Sequence, residues 1–207
     1  MNRAVRRTGI LVLLLILCAQ ADDKKKHALY TKPAQAVDLE SEKFVTAKQN
    51  CESWGLAAGL ETILKRQDVH LDQNFWVTRI HGGELCVPEL PSVEMLTRAI
   101  NGEFVLEDGR HVRLELHYTS GAPSNIDNVV AGIQHKQLSL LLFRGHAYYL
   151  TGVTYDEFIA SNGSRFFGIT EMRLADTFPK MPASTFQKGR DDPGEIGGTL
   201  SVNVIVK

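Results

Sequence analysis

The chain has 207 residues, 43% of them apolar, with 23 Lys plus Arg against 24 Asp plus Glu. This composition excludes a disordered tail protein, a collagen-like rod and a nucleic-acid binder that works through bulk positive charge. The length suits one domain with some decoration, and two domains would be cramped.

The first 21 residues read as a removable signal segment. Arg3, Arg6 and Arg7 precede nine consecutive apolar residues from Ile10 to Cys18, and Ala19-Gln20-Ala21 follows as a small-x-small cleavage site. Nine residues cannot span the ~30 Å of a bilayer core, so stable membrane insertion after cleavage is not expected, and the chain reads as secreted or periplasmic. Lipid attachment at Cys18 is the weaker reading, because Leu17 stands where a small residue is expected. Without the signal, 20 basic residues face 24 acidic ones, a formal charge of −4 that invites neither nucleic acid nor an anionic membrane. Cys51 and Cys86 remain, and in an exported protein a disulfide is the plain expectation for such a pair.

Residues 22–41 open with Asp-Asp-Lys-Lys-Lys, contain Pro33 and lack apolar periodicity, which predicts an exposed leader ahead of a domain over 42–207. The sharpest helical pattern runs from Cys51 to about Gln67, with Ser53, Leu56, Ala57, Leu60, Ile63 and Leu64 on one face and Asn50 as N-cap. Cys51 then falls in the first turn. From Leu71 to Pro91 the signals are mixed. A shorter helix is predicted from about Ser92 to Asn101, ended by Gly102, and a hairpin follows, with Glu103–Leu106 and Val112–Tyr118 joined by a turn at Glu107-Asp108-Gly109. Pro123–Asp127 reads as a loop and Ile126–Gln137 as a helix. Leu138–Phe143, His146–Val153 and Phe166–Leu174 read as three strands, the first two joined by Arg144-Gly145. Helices first and antiparallel strands later point to an α+β fold.

A thiol attacks only as thiolate, and a helix N-terminus lowers its pKa and offers N–H groups to a developing oxyanion. Cys51 has that predicted position. His146, opening a strand after a glycine turn, is the best placed imidazole to act as its base. His70, His81, His111, His117 and His135 lie in polar or ambiguous settings.

Cys51-Glu52-Ser53-Trp54-Gly55-Leu56-Ala57 resembles the Cys-x-x-Trp-Ala-Phe type opening of papain-like cysteine peptidases, and Gly145-His146-Ala147 through Gly152-Val153 resembles the stretch around that superfamily's histidine. The resemblance spans roughly Lys48 to Pro179 and is nearest to the bacterial branch that includes bacteriocin-leader peptidases. It implies an N-terminal helix carrying the nucleophile packed on an antiparallel sheet carrying the histidine. By the same resemblance Cys51 is the nucleophile, His146 the general base and acid, and Asp176, in Ala175-Asp176-Thr177-Phe178-Pro179, the orienter, with Glu171 as the alternative. The oxyanion donors are the Cys51 N–H and Gln49, although Gln49 stands two residues before Cys51 and Phe44 occupies the family's usual six-residue offset. Trp54 reads as core, and Gly82-Gly83 as either a cleft wall or a plain turn. The implied partner is a peptide or protein substrate, attacked at a carbonyl by acyl transfer.

Two other readings stand beside this one. The first is a non-catalytic secreted module of the same fold with Cys51 bridged to Cys86. The second is a transglutaminase-like acyltransferase using the same Cys, His and Asp. No phosphate-binding loop, His-Glu-x-x-His or Gly-x-Ser-x-Gly occurs, nor does a clustered Cys/His ligand set, so no metal or nucleotide cofactor is expected.

Overall fold

The computed structural model describes residues 30–39, 46–86, 90–123, 126–178 and 183–207. The signal segment 1–21 lies outside these. The fold is α+β. Its helices are α1 (Gly55–Lys65), α2 (Gln73–His81), α3 (Val93–Ile100) and α4 (Ile126–Gln134). Its strands are β1 (Tyr30–Asp38), β2 (Gly102–Val105), β3 (His111–Ser120), β4 (Ser139–Phe143), β5 (His146–Ile159), β6 (Arg165–Asp176), β7 (Ser184–Gln187) and β8 (Ile196–Val206). They form one antiparallel sheet in the order β2-β3-β8-β4-β5-β6-β7. β1 pairs with the second half of β5, beyond the stretch that β4 occupies.

The predicted apolar stripe of α1 is buried: Leu56, Ala57, Leu60, Ile63 and Leu64 all face the core. The helix meets the sheet at close quarters, since a methyl at Gly59 would lie 2.5 Å from Cδ1 of the fully buried Leu140 on β4. Beside it the buried Tyr149 hydroxyl donates to the Thr62 hydroxyl at 2.8 Å, and Thr62 in turn donates to the Ala58 carbonyl. Burial pushes the Tyr149 phenol far above its ordinary range, so it acts as a neutral hydrogen-bonding strut between sheet and helix. α2, in the region of mixed signals, is bounded by the Asp72 carboxylate, which accepts from the Phe75 N–H, and by Gly82 in the left-handed conformation. α3 has Ser92 as its N-cap, the hydroxyl accepting from the Met95 N–H.

The leader is the clearest departure from expectation. Residues 30–38 are a strand of the sheet rather than an exposed tail, with a bulge between Lys32 and Gln35 that accommodates Pro33. What holds β1 is charge more than apolar pattern. Glu157 on β5, 1% exposed, receives Lys32 Nζ at 2.8 Å and also pairs with Arg165. Arg173 on β6 reaches back to the Asp38 carboxylate and donates to the Val37 carbonyl at 3.2 Å. The bond from Lys32, with Arg165 behind it, holds the Glu157 carboxyl below the usual carboxylate range. A group with a lowered folded pKa stabilises above its unfolded value, about 4.3 for Glu, and that support is lost as pH falls through the folded value. Acid is therefore expected to release β1 first. Hydrogen exchange at residues 34–38 should rise below about pH 4, and Glu157→Gln should remove that acid step. An identical acid profile in both proteins would refute the clasp.

The site is positioned by two local devices. Arg144 and Gly145, between β4 and β5, have φ of 52° and 75°, the pattern of a two-residue turn that matches strand twist. Arg144 is held there by Glu195, through its own N–H to the Glu195 carbonyl at 3.0 Å and its guanidinium to the carboxylate at 2.8 Å. His146 is thereby fixed as the first residue of β5.

A candidate cleft at the start of α1

α1 begins at Gly55 rather than Cys51, and Trp54, not Asn50, is its N-cap, with no side-chain cap. Gln49 supplies the reason. Its side-chain amide donates to the carbonyls of Cys51 and Glu52, each at 2.7 Å. Those are the two acceptors that an earlier helix start would have offered to the N–H groups of Gly55 and Leu56. Residues 51–54 instead form a separate turn, closed by the Trp54 N–H on the Cys51 carbonyl at 2.9 Å. Among the described residues, no acceptor meets the N–H groups of Gly55 and Leu56.

This corrects two sequence expectations. Cys51 stands in the turn ahead of α1, not in its first turn, and the Gln49 amide is spent on backbone carbonyls rather than turned toward an oxyanion. Gln49 is 7% exposed, and its carbonyl oxygen faces the Thr177 hydroxyl at 3.4 Å. The Cys51 sulfur is bonded to that of Cys86, with the two Cα atoms 6.1 Å apart, within ordinary disulfide spacing. In this state Cys51 has no thiol to ionise. Trp54 is core, as expected, and its indole N–H donates to the Leu85 carbonyl at 2.9 Å, so the segment ending at Cys86 is tied to the start of α1 twice over.

The other expected residues do converge. A cavity of about 340 Å³ is lined by Gln49, Glu52, Ser53, Gly55 and Leu56 on one side, by Gly145 to Tyr148 on another, and by Asp176 to Phe178 on a third. Cys51 is not among the lining residues. His146 is exposed at the rim. Tyr148 pairs with Asp176 across β5 and β6, which makes His146 and Asp176 diagonal neighbours, roughly 7 Å apart by sheet geometry. Among the described residues no hydrogen bond joins them. The Asp176 carboxylate instead accepts from the Phe178 N–H at 2.7 Å, closing a turn at the end of β6. Burial, and then the Asp176 charge, push the Tyr148 phenol above its ordinary range. Glu171 lies away from the cavity, paired with Arg173 at 2.6 Å and held below the usual carboxylate range chiefly by that bond.

Three contributors escaped sequence reasoning. Gly55 lets the helix start approach β6, because a methyl there would come 2.7 Å from the Thr177 hydroxyl. Thr177 locks that approach by donating to the Ala147 carbonyl at 3.2 Å. Gln73, 2% exposed on α2, takes the Asn50 N–H at 3.0 Å and donates to the Lys48 carbonyl and the Glu61 carboxylate, each at 2.8 Å. A glutamine at the first position of a capped helix was the available signal.

The comparisons with known proteins add no further constraint: no family model matches the chain, and neither a curated protein nor a solved structure matches it.

Proposed function

We propose that the oxidised chain is a non-catalytic exported module that binds a peptide segment in the cleft at the start of α1. The observation that carries this reading is the Cys51–Cys86 bond, which leaves the cleft without a thiolate. The cleft suits a peptide because it combines two unmet backbone donors at the positive end of a helix with apolar walls from Leu56, Leu90 and Phe178. A carbonyl oxygen or terminal carboxylate fits the donors, and side chains fit the walls.

A second reading has its own support. His146, Asp176 and the helix start share one cavity, an arrangement that would serve a thiol peptidase if reduction freed Cys51. In that state His146 would take the Cys51 proton, the thiolate would attack a peptide carbonyl, and water would release the acyl-enzyme. An acyltransferase would differ only in the acceptor.

One experiment separates these readings. Labelled peptide pools are offered to the oxidised protein and to protein reduced with dithiothreitol, and both binding and cleavage are followed. Binding without cleavage in both states, weakened by Phe178→Glu at the part-buried wall of the cleft, is the expected result. Cleavage that appears on reduction and disappears in Cys51→Ala and His146→Ala would replace the binding module with the peptidase.

A further inference from the structure

The cleft at the start of α1 is acidic on two of its sides. Glu52, in the turn ahead of the helix, and Asp176, at the end of β6, both line it, and no lysine or arginine among the described residues does. The chain as a whole balances 23 basic residues against 24 acidic ones. We propose that the peptide bound there presents an arginine or lysine side chain to Glu52 and Asp176, which deepens the reading of this cleft as a peptide site and rests on it.

Elsewhere in the fold carboxylates are matched from within. Asp38, Glu103, Glu115, Glu157, Glu171 and Asp191 each receive a lysine or an arginine. Among the described residues neither Glu52 nor Asp176 pairs with a cation, and His146, exposed at the rim, bonds to neither. Arg144 is the nearest candidate in sequence, but its guanidinium is turned to Glu195 at 2.8 Å and Asp191 at 3.4 Å and lies over the Phe143 ring, outside the cavity lining. The Asp176 carboxylate accepts the Phe178 N–H and keeps acceptor capacity to spare.

The walls suit a long basic side chain. Tyr148 is the cross-strand partner of Asp176, and Phe178 follows it by two residues, so two part-buried aromatic rings flank the carboxylate. The methylene stem of an arginine or lysine packs on such rings, and its head is drawn to carboxylates and ring faces alike. The charge of Asp176 reaches this wall, since after burial it is the next cause that raises the Tyr148 phenol above its ordinary range.

The helix start sets the orientation. The free N–H groups of Gly55 and Leu56 lie at the positive end of α1, where they accept a peptide carbonyl and repel a cation. The backbone of the ligand therefore lies at the helix start and its basic side chain crosses toward β6. Two carboxylates in the walls also repel a terminal carboxylate, which favours the carbonyl of an internal residue at the donors.

The test is a titration of the full oxidised chain, followed by backbone amide NMR at low salt, with four pentapeptides capped at both ends. They are built of alanine and leucine around a central arginine, citrulline, leucine or glutamate; citrulline has the shape of arginine without its charge. Saturable shifts at residues 52–56, 145–148 and 176–178 are the expected result, with arginine bound about fivefold more tightly than citrulline, glutamate weakest, and the preference shrinking in concentrated salt. Glu52→Gln combined with Asp176→Asn should abolish the preference for arginine over citrulline, and the asparagine keeps a carbonyl oxygen for the Phe178 N–H. Glu52→Gln alone, at an exposed position, should reduce that preference in a protein whose fold is not at stake. Citrulline bound as tightly as arginine, or a preference that survives both substitutions, would overturn the charge assignment and leave the peptide cleft standing. No saturable shift with any of the four peptides would overturn the cleft reading and this inference with it.

Discussion

Replacing Cys86 by serine is expected to lower the stability of the fold by about 3 to 4 kcal/mol, the loop-closure value for a bridge that spans 35 residues. For a domain of this size that corresponds to a fall in Tm of roughly 10 °C. The loss is large because the bridge closes the whole of α1 and α2 into one loop and ties it at the turn that precedes the cleft. Reversible urea unfolding of the two proteins measures it, and a difference under about 1 kcal/mol would show that Trp54 and Gln49 hold the turn unaided. Dithiothreitol titration of the unaltered chain gives the same comparison without a substitution. The variant also frees Cys51. If the positive end of α1 reaches its sulfur, iodoacetamide should label it near neutral pH faster than it labels the unfolded chain. Equal rates would mean that the turn ahead of the helix leaves the thiol ordinary.

Gln73→Leu is expected to cost about 3 kcal/mol and to loosen the segment that carries Gln49 and Cys51. The substitution keeps the bulk but strands the Asn50 N–H, the Lys48 carbonyl and the Glu61 carboxylate, and an unmet buried polar group costs roughly 1 to 3 kcal/mol. Hydrogen exchange at residues 47–54 should accelerate more than exchange in α3 or β8. Gln73→Glu is the sharper variant. It keeps an acceptor for Asn50 but sets a second carboxylate against Glu61, so it should be less stable at neutral pH than at pH 4, where one of the two can bind a proton. A Gln73→Leu protein with unchanged stability would remove Gln73 from the account of the site.

Much of the fold was legible because its periodicities are local. The α1 stripe, the β2–β3 hairpin, the apolar run of β4 and the turn that presents His146 all follow from neighbouring residues. The start of α1 did not, because it is set by Gln49 reaching over the next two carbonyls, an interaction invisible to a helical pattern that runs smoothly through Cys51. β1 was hidden for a different reason. Its sequence contains a proline and little apolar alternation, and its partners Glu157 and Arg173 lie more than 100 residues away. β8 was overlooked because Gly197-Gly198 reads as a break, although Leu200, Val202 and Val204 alternate as a strand should. Of the site, His146 and Asp176 line one cavity, whereas Cys51 is diverted to Cys86, the pairing expected of the two cysteines once residues 1–21 are read as an export signal.

The position of β8 bears on how such a molecule can be made. It comes last in strand order yet lies between β3 and β4, with β2–β3 on one flank and β4 to β7 on the other. Neither flank can join its counterpart until residues 196–206 slot between them. During synthesis the polypeptide must therefore wait, half-assembled and with two unpaired borders, until its final strand leaves the ribosome.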